Sequence, residues 1–262
     1  MAAAALIAPD EPEPVTLLHE GGGSAFFLAC DHGGRAIPRR LGRLGLPEPE
    51  TWRHIAWDIG IAGVGRLLSK ALDAALILQA YSRLVIDCNR DPSVASSIPE
   101  ISETTEIPGN RGLGENERAA RRAAIFRPYH DTLAAALDRR AAAGRPTVLV
   151  ALHSFTPVFK GLARPWHAGI LYNRDDRLAR PLIAALEREA GLVVGENEPY
   201  RVTDQTDYTV PVHGERRGLV HVEVELRQDL IGEPGGQAEW AERLARVLPA
   251  AYADCLGAAA ST

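Results

Sequence analysis

Two short apolar runs, each followed within two residues by a histidine, constrain the fold of this chain more than any other feature. They are residues 25–30 (AFFLAC), before Asp31 and His32, and residues 147–152 (TVLVAL), before His153. Runs of this length predict strands buried on both faces. Further strands are predicted over residues 75–79, 84–87, 169–172 and 220–230, and helices over 54–74, 115–143, 178–190 and 237–256. This alternation predicts an α/β fold, a three-layer α/β/α sandwich with a central mixed, largely parallel sheet.

The composition is that of an ordinary globular protein. The chain has 262 residues, 46% apolar and 24% charged, without an internal repeat or linker, so we expect a single domain over residues 1–262 whose residues 1–20 are extended or poorly ordered. A net charge of −5 argues against nucleic acid or an anionic membrane as partner. Three cysteines without CxxC spacing and an N-terminus without a basic n-region predict a reducing, cytoplasmic location.

Polar residues stand where the predicted strands end. Functional side chains of open α/β sheets lie at the carboxyl ends of strands. Here those positions carry His32, Asn89, Arg90, His153 and Glu225. One histidine after a strand is more often structural than a ligand. Two of them at one sheet edge, joined by a carboxylate, match the ligand set of catalytic zinc.

The carboxylate that completes this set is left open by the sequence. Asp58 is the first candidate, because it lies in an otherwise apolar segment, HIAWDIG, where an unpaired charge would be costly. The competing interpretation is a surface pair between Asp58 and His54, which share one face of the predicted helix. Asp31 is a weaker candidate, since neighbouring residues of an extended chain point apart.

Seven segments together resemble the N-formylglutamate amidohydrolase family, which is similar in turn to the zinc carboxypeptidases. In chain order they are DHGGRAIP, HIAWDIG, YSRLVIDCNRDP, IPGNRGLGENER, LHSFTP, GILYNRD and VEVELRQDL. The resemblance implies a zinc-dependent exopeptidase-like fold, one divalent metal ion, expected to be Zn²⁺, and a role in histidine degradation. It implies removal of the formyl or a similar acyl group from N-formyl-L-glutamate or a related N-acyl amino acid, which gives formate and L-glutamate.

The resemblance also implies roles for individual residues. Metal binding falls on His32 and His153, binding of the substrate carboxylate on Asn89 and Arg90, and general-base catalysis on Glu225. The chain departs from the carboxypeptidase pattern at one ligand. Where that pattern has a glutamate three residues after the first histidine, this chain has Arg35, which cannot bind a cation. Asp58 is therefore the expected replacement.

Further residues are secondary candidates for the site. Arg83 is a candidate carboxylate clamp or oxyanion stabiliser. Arg227 is a further substrate-binding candidate and the expected electrostatic neighbour of Glu225, and Glu223 is the alternative base. Candidates to read a second substrate carboxylate lie in loop-like segments, each with a surface role as the competing interpretation: Arg111, Arg174, Tyr208 and His213.

Strand 220–230 (VHVEVELRQDL) has two unlike faces. Alternation puts His221, Glu223, Glu225 and Arg227 on one side. In a sheet that is covered on both sides, such a polar row must border a cleft or pair internally. We expect Glu225 to face the cleft, and Glu223 and His221 to have structural roles.

Three functions stay open. The first is an amide hydrolase whose partner is a small N-acyl amino acid. The second is a zinc peptidase or cell-wall amidase on the same fold, which the lack of a signal peptide disfavours. The third is a metal-free protein that only binds carboxylates through Asn89 and Arg90, which the two histidines and Glu225 disfavour.

Overall fold

The computed structural model describes residues 5–259, in which a seven-stranded sheet lies between two helical layers. In chain order the strands are β1 (Val15–Leu18), β2 (Phe26–Cys30), β3 (Ala75–Gln79), β4 (Ile101–Ser102), β5 (Thr105–Glu106), β6 (Val148–Phe155), β7 (Val158–Phe159), β8 (Leu162–Ala163), β9 (Ala168–Leu171), β10 (Val194–Glu196) and β11 (Val220–Arg227). The helices are α1 (Ile61–Leu72), α2 (Glu115–Arg121), α3 (Arg127–Ala142), α4 (Ala179–Glu187) and α5 (Pro234–Ala259). Short 3-10 helices cover Arg39–Leu41, Glu48–Trp52, Ala95–Ser97, Pro108–Asn110 and Gln228–Leu230, and π-helical turns cover Arg122–Phe126 and Thr209–Glu215.

The sheet is mixed and largely parallel. Its strand order is β1-β3-β2-β6-β11-β9-β10. The four central strands, β3, β2, β6 and β11, are mutually parallel, while β1 pairs antiparallel at one edge and β9 pairs antiparallel with β11. The hairpins β4-β5 and β7-β8 stand outside this sheet.

Two apolar cores, one on each face of the sheet, confirm the predicted three-layer sandwich. Leu28 and Val150 contribute to the core under α1, α4 and α5. Phe27 and Leu149, which directly precede them on the same strands, contribute to the core under α3. The alternation of strand side chains explains why these strands are apolar throughout, since each face has its own helical layer.

Three predicted elements differ from the structure. Residues 228–230, predicted as the end of the strand over 220–230, form a 3-10 helix. Residues 84–87 form a buried loop rather than a strand, because their carbonyl groups bond to side chains instead of a neighbouring strand. Arg121 donates to the carbonyl of Val85 at 3.0 Å and Asn110 to that of Leu84 at 2.8 Å. The helix predicted from residue 54 begins only at Ile61, after Gly60, whose φ of 83° is left-handed. Asp58 therefore lies in the loop before α1.

The ends of the chain lie partly outside the described residues. Residues 1–4 and 260–262 are not described. The prediction for residues 1–20 can therefore be compared with the structure over residues 5–20 alone, and these include β1 at the sheet edge. A single domain over residues 1–262 stays a prediction. Between residues 5 and 259, none of the helices combines the length and apolar character that crossing a bilayer requires.

Candidate functional site

A cleft of about 440 Å³ opens at the carboxyl ends of the parallel strands β2, β6 and β11, within the size range of small-molecule sites. His32 follows β2, His153 lies in β6 and Glu225 lies in β11. In the parallel ladder Glu225 is the direct partner of His153, so both side chains stand on the same face of the sheet. The sheet thus brings together three residues that are far apart in the sequence.

Asp58 completes a compact group with the two histidines. Nδ1 of His153 lies 3.2 Å from Nδ1 of His32 and 3.0 Å from Oδ2 of Asp58, and Nδ1 of His32 lies 3.4 Å from the same carboxylate oxygen. All three residues are buried. Ligands about 2.0–2.2 Å from a tetrahedral zinc ion are about 3.3–3.6 Å apart. The three donor atoms therefore have a spacing that fits one metal ion, while the competing surface pair is absent because His54 faces Glu103, at 3.5 Å.

The loop around Asp58 is fixed from both histidine-bearing segments. The backbone N–H of Asp58 donates to the carbonyl of His32 at 2.9 Å. The backbone N–H of Ser154 donates to Oδ2 of Asp58 at 3.2 Å, and the Ser154 hydroxyl donates to the carbonyl of Ile59 at 3.0 Å. Ser154 thus holds this loop through both its backbone and its side chain.

A second carboxylate stands behind each histidine. Nε2 of His32 lies 2.6 Å from Oδ1 of Asp87, and Nε2 of His153 lies 3.3 Å from Oδ2 of Asp31. Asp31 also accepts hydrogen bonds from the hydroxyl groups of Tyr129, at 2.7 Å, and Thr209, at 2.9 Å. A carboxylate that receives the outer N–H of an imidazole directs the lone pair of the other nitrogen to a metal ion. Asp31 thus stands behind His153, outside the converging group of His32, Asp58 and His153, and the position of Asp87 behind His32 was not predicted from the sequence.

The electrostatics of this group favour a cation between the imidazoles. Burial opposes the ionisation of Asp31, but the nearby His153, 3.3 Å away, outweighs this effect and lowers the pKa of Asp31 to about 2. The pKa of Asp58 is lowered by the two histidines against the same effect of burial. Burial likewise disfavours a charged His153, yet Glu223 and the two aspartates raise its pKa. The carboxylates are therefore ionised, and they stabilise positive charge at the two imidazoles, whether a proton or a metal ion carries it.

Glu225 is buried beside this group with an unpaired oxygen. It is 5% exposed, it lines the cleft, and its Oε2 has no hydrogen-bond partner among residues 5–259. Burial raises its pKa to about 7. A carboxyl group with a pKa near neutrality, at the wall of a cleft, has the properties of a general base or acid.

The other three polar residues of the row on β11 differ in whether they reach the cleft. Glu223 also lines the cleft and lies 3.9 Å from Nε2 of His153, and burial raises its pKa. His221 bonds the carbonyl of Leu219 at 2.8 Å and does not line the cleft. Arg227 turns away, because Asp229 binds its guanidinium at 2.8 Å. Of this row, Glu223 and Glu225 line the cleft, His221 is buried outside it, and Arg227 is half-buried outside it.

The shifted pKa of Glu225 predicts a pH-dependent stability of the metal-free protein. Its folded pKa of about 7 exceeds the usual 4.5, so the unfolded state gains stability over the folded state as pH rises from 4.5 through 7. Glu225→Gln removes this cost, which is at most about 3 kcal/mol. We expect the metal-free variant to exceed the metal-free wild type in Tm at pH 8.5 and to match it near pH 4.5. Equal differences at both pH values in thermal unfolding would contradict the shift.

Three of the four predicted substrate-binding residues, Asn89, Arg90 and Arg83, line the cleft, and Arg227 does not. The three differ in how far their side chains are already bound to other residues. Asn89 is committed to the loop before the second π-helical turn, because its Oδ1 accepts from the backbone of Tyr208 at 2.9 Å and of Thr209 at 3.0 Å. Arg83 donates twice to Oδ2 of Asp87, at 2.7 and 3.0 Å. Arg90 is less engaged, with Asp207 at 3.6 Å.

None of the four candidates for a second substrate carboxylate lines the cleft. Arg111 pairs with Glu106, and Arg174 pairs with Asp204 and Glu215. The rings of Tyr208 and His213 pack against His130 instead. The structure brings Arg201 to the cleft, a residue that no pattern in the sequence distinguishes from other loop arginines.

Comparisons with known proteins agree with this geometry. The model of the N-formylglutamate amidohydrolase family matches residues 24–232, a range that includes every residue lining the cleft. A solved structure of a gene product from Agrobacterium tumefaciens is 40% identical, covers 95% of this chain and 98% of its own, and has a TM-score of 0.92. N-formylglutamate amidohydrolase from Ralstonia eutropha is 20% identical, with 94% and 100% covered and a TM-score of 0.67, and shows the shared fold. Curated proteins gave no match.

Proposed function

Because the chain belongs to the N-formylglutamate amidohydrolase family, we propose that it hydrolyses N-formyl-L-glutamate, or a close N-acyl relative, to formate and L-glutamate. The resemblance drawn from the sequence is confirmed by the family match, and the chain is a hydrolase that acts on an amide bond. One observation carries the proposal to this particular cleft. A buried His-Asp-His group and a buried glutamate with a raised pKa share its wall.

We propose His32, Asp58 and His153 as the residues that hold one divalent metal ion. Two imidazoles and one carboxylate, each imidazole backed by a further carboxylate, are a donor set typical of catalytic zinc, and the spacing of 3.0–3.4 Å supports it. The chemistry that such an ion supplies is polarisation of the amide carbonyl and activation of water.

Glu225 is the proposed proton carrier of the reaction. As a carboxylate it accepts a proton from the attacking water, and as the resulting acid it donates this proton to the leaving nitrogen. The pKa of about 7 suits both halves of this cycle, because neither protonation state is strongly favoured at neutral pH. Glu223 stays the alternative base, since it shares the wall and the burial.

The arginines of the cleft are the proposed binding groups for the substrate carboxylate next to the scissile amide. Arg90 is the main candidate, because Arg83 is already bound to Asp87 and lies 3.4 Å from Asp58. A guanidinium can hold a carboxylate through two parallel hydrogen bonds. Asn89 supports this contact by bonding to the backbone of Tyr208 and Thr209. Arg227 does not line the cleft and is not part of this proposal.

The alternatives from the sequence are weaker than this proposal. A protein that only binds carboxylates does not need two imidazoles facing each other across a carboxylate. A peptidase or cell-wall amidase stays possible on chemical grounds, but the family match favours a small N-acyl amino acid. A cytoplasmic location and a role in histidine degradation stay predictions.

Formate release is the direct test of the proposed function. We expect the zinc-loaded protein to release formate from N-formyl-L-glutamate with a kcat/KM at least tenfold above that for N-formyl-L-leucine, and to hydrolyse N-acetyl-L-glutamate and muramoyl-L-alanine amides more slowly. Enzymatic measurement of formate and of free amino acid gives the rates. Absence of formate from all formylated substrates, in protein shown to contain metal, would refute the proposal.

A further inference from the structure

Arg201 is a cation of the cleft without a partner. It is exposed and lines the cleft, and it forms no hydrogen bond or ion pair with any residue from 5 to 259. The other cleft arginines are engaged, since Arg83 is bound to Asp87 and Arg90 lies near Asp207. An unpaired guanidinium keeps its full capacity to bind a carboxylate from solution.

The loop that carries Arg201 is held firmly in place. The Arg164 guanidinium stacks between Tyr200, 4.7 Å from the ring centre, and Phe159 on hairpin β7-β8, at 4.6 Å. It also donates to the Tyr200 hydroxyl at 2.9 Å. A guanidinium between aromatic faces is a favourable contact. Arg164 is therefore a positioning residue for this loop.

The same loop rests directly on the sheet. A methyl group added at Gly169 in β9 would lie 2.0 Å from the carbonyl oxygen of Glu198. Only glycine permits this approach of the loop backbone. Because Gly169 is the register partner of Glu225, the loop with Arg201 is anchored beside the proposed catalytic glutamate.

From this placement we infer that Arg201 binds the side-chain carboxylate of the substrate and selects N-acyl amino acids with an acidic side chain. The inference rests on the proposed function, in which the substrate has two carboxylates. One of them lies next to the scissile amide and is assigned to Arg90 on the loop after residue 87. The other is separated from the amide by the side-chain carbons, and Arg201 on a different loop is the free cation available to it.

The test compares a charged with a neutral substrate of equal size. For zinc-loaded Arg201→Gln, we expect the ratio of kcat/KM for N-formyl-L-glutamate over N-formyl-L-glutamine to fall by about 30- to 100-fold, mainly through KM. Arg201→Lys is expected to lose less of the ratio, because it keeps the charge. Arg188→Ala is the matched control, since Arg188 is also exposed and lies at the end of α4, outside the cleft, and it should leave the ratio unchanged.

The outcomes separate this inference from the proposed function. A wild type that prefers the glutamate substrate, with an unchanged ratio in Arg201→Gln, would overturn the inference and leave the proposed function intact. A wild type that releases no formate from either substrate would overturn both. Calorimetric titration with L-glutamate and L-glutamine adds a readout without turnover, in which Arg201→Gln should lose the preference for L-glutamate.

Discussion

Glu225→Gln is expected to lower kcat for formate release about 10³-fold while the zinc content stays at about one ion per chain. The amide has nearly the shape of the carboxyl group but cannot accept the proton of the attacking water. Because Glu225 is not one of the three residues with converging donor atoms, its replacement should leave metal binding intact. Steady-state kinetics and metal analysis of the same preparation measure both effects.

The neighbouring glutamate provides the matched comparison. Glu223→Gln changes the same functional group on the same strand face, two residues away, and we expect it to reduce kcat much less than Glu225→Gln does. If Glu225→Gln retained nearly normal turnover and Glu223→Gln lost it, the base would be Glu223. Loss of metal from Glu225→Gln would instead place this residue in the binding group.

Removal of the metal is expected to abolish formate release, and added zinc to restore it. The purified protein should contain about one zinc ion per chain. Dialysis against a chelator should reduce activity by at least about 10³-fold, because the amide carbonyl would lose its Lewis acid. Metal analysis and activity before and after zinc addition measure the result.

The assignment of Asp58 as a metal ligand can be tested by measuring the zinc affinity of a variant. Asp58→Asn keeps the size of the side chain but removes the charge between the imidazoles, so we expect its zinc affinity to fall at least 100-fold. Asp138→Asn, which alters an exposed aspartate, should bind zinc as the wild type does. Normal zinc affinity in Asp58→Asn would show that Asp58 is not a metal ligand. In the metal-removal experiment, full activity of the metal-free wild type would show that the reaction does not need the metal.

The sequence predicts the fold correctly where an apolar run forms a buried strand of the sheet. Strands β2 and β6 are short apolar runs and were predicted to within a few residues. Residues 84–87 have the same composition but form a loop, because their backbone partners are side chains of Arg121 and Asn110, far along the chain. A local pattern records that a segment is buried, but it does not record what bonds its backbone.

The residues of the site differ in the same way in how far the sequence predicted them. His32 follows β2 and His153 lies in the neighbouring strand β6, so the sheet brings them together. Asp58 was noticeable in the sequence as a charge in an apolar segment. The carboxylate of Asp87 behind His32 and the free cation of Arg201 depend on how long loops fold over the sheet. Such placements follow from contacts between distant segments, which periodicity and spacing do not encode.

The pairing of Glu225 with His153 across adjacent strands has a consequence for how such enzymes can diversify. Their separation is set by backbone hydrogen bonds of the sheet, whereas Arg90 and Arg201 are carried by loops. In the proposed assignment, the groups for reaction and the groups for recognition therefore lie on mechanically separate parts of one molecule. Exchange of residues 197–208 with the corresponding loop of a relative should alter which acid is accepted and leave the hydrolytic centre in register.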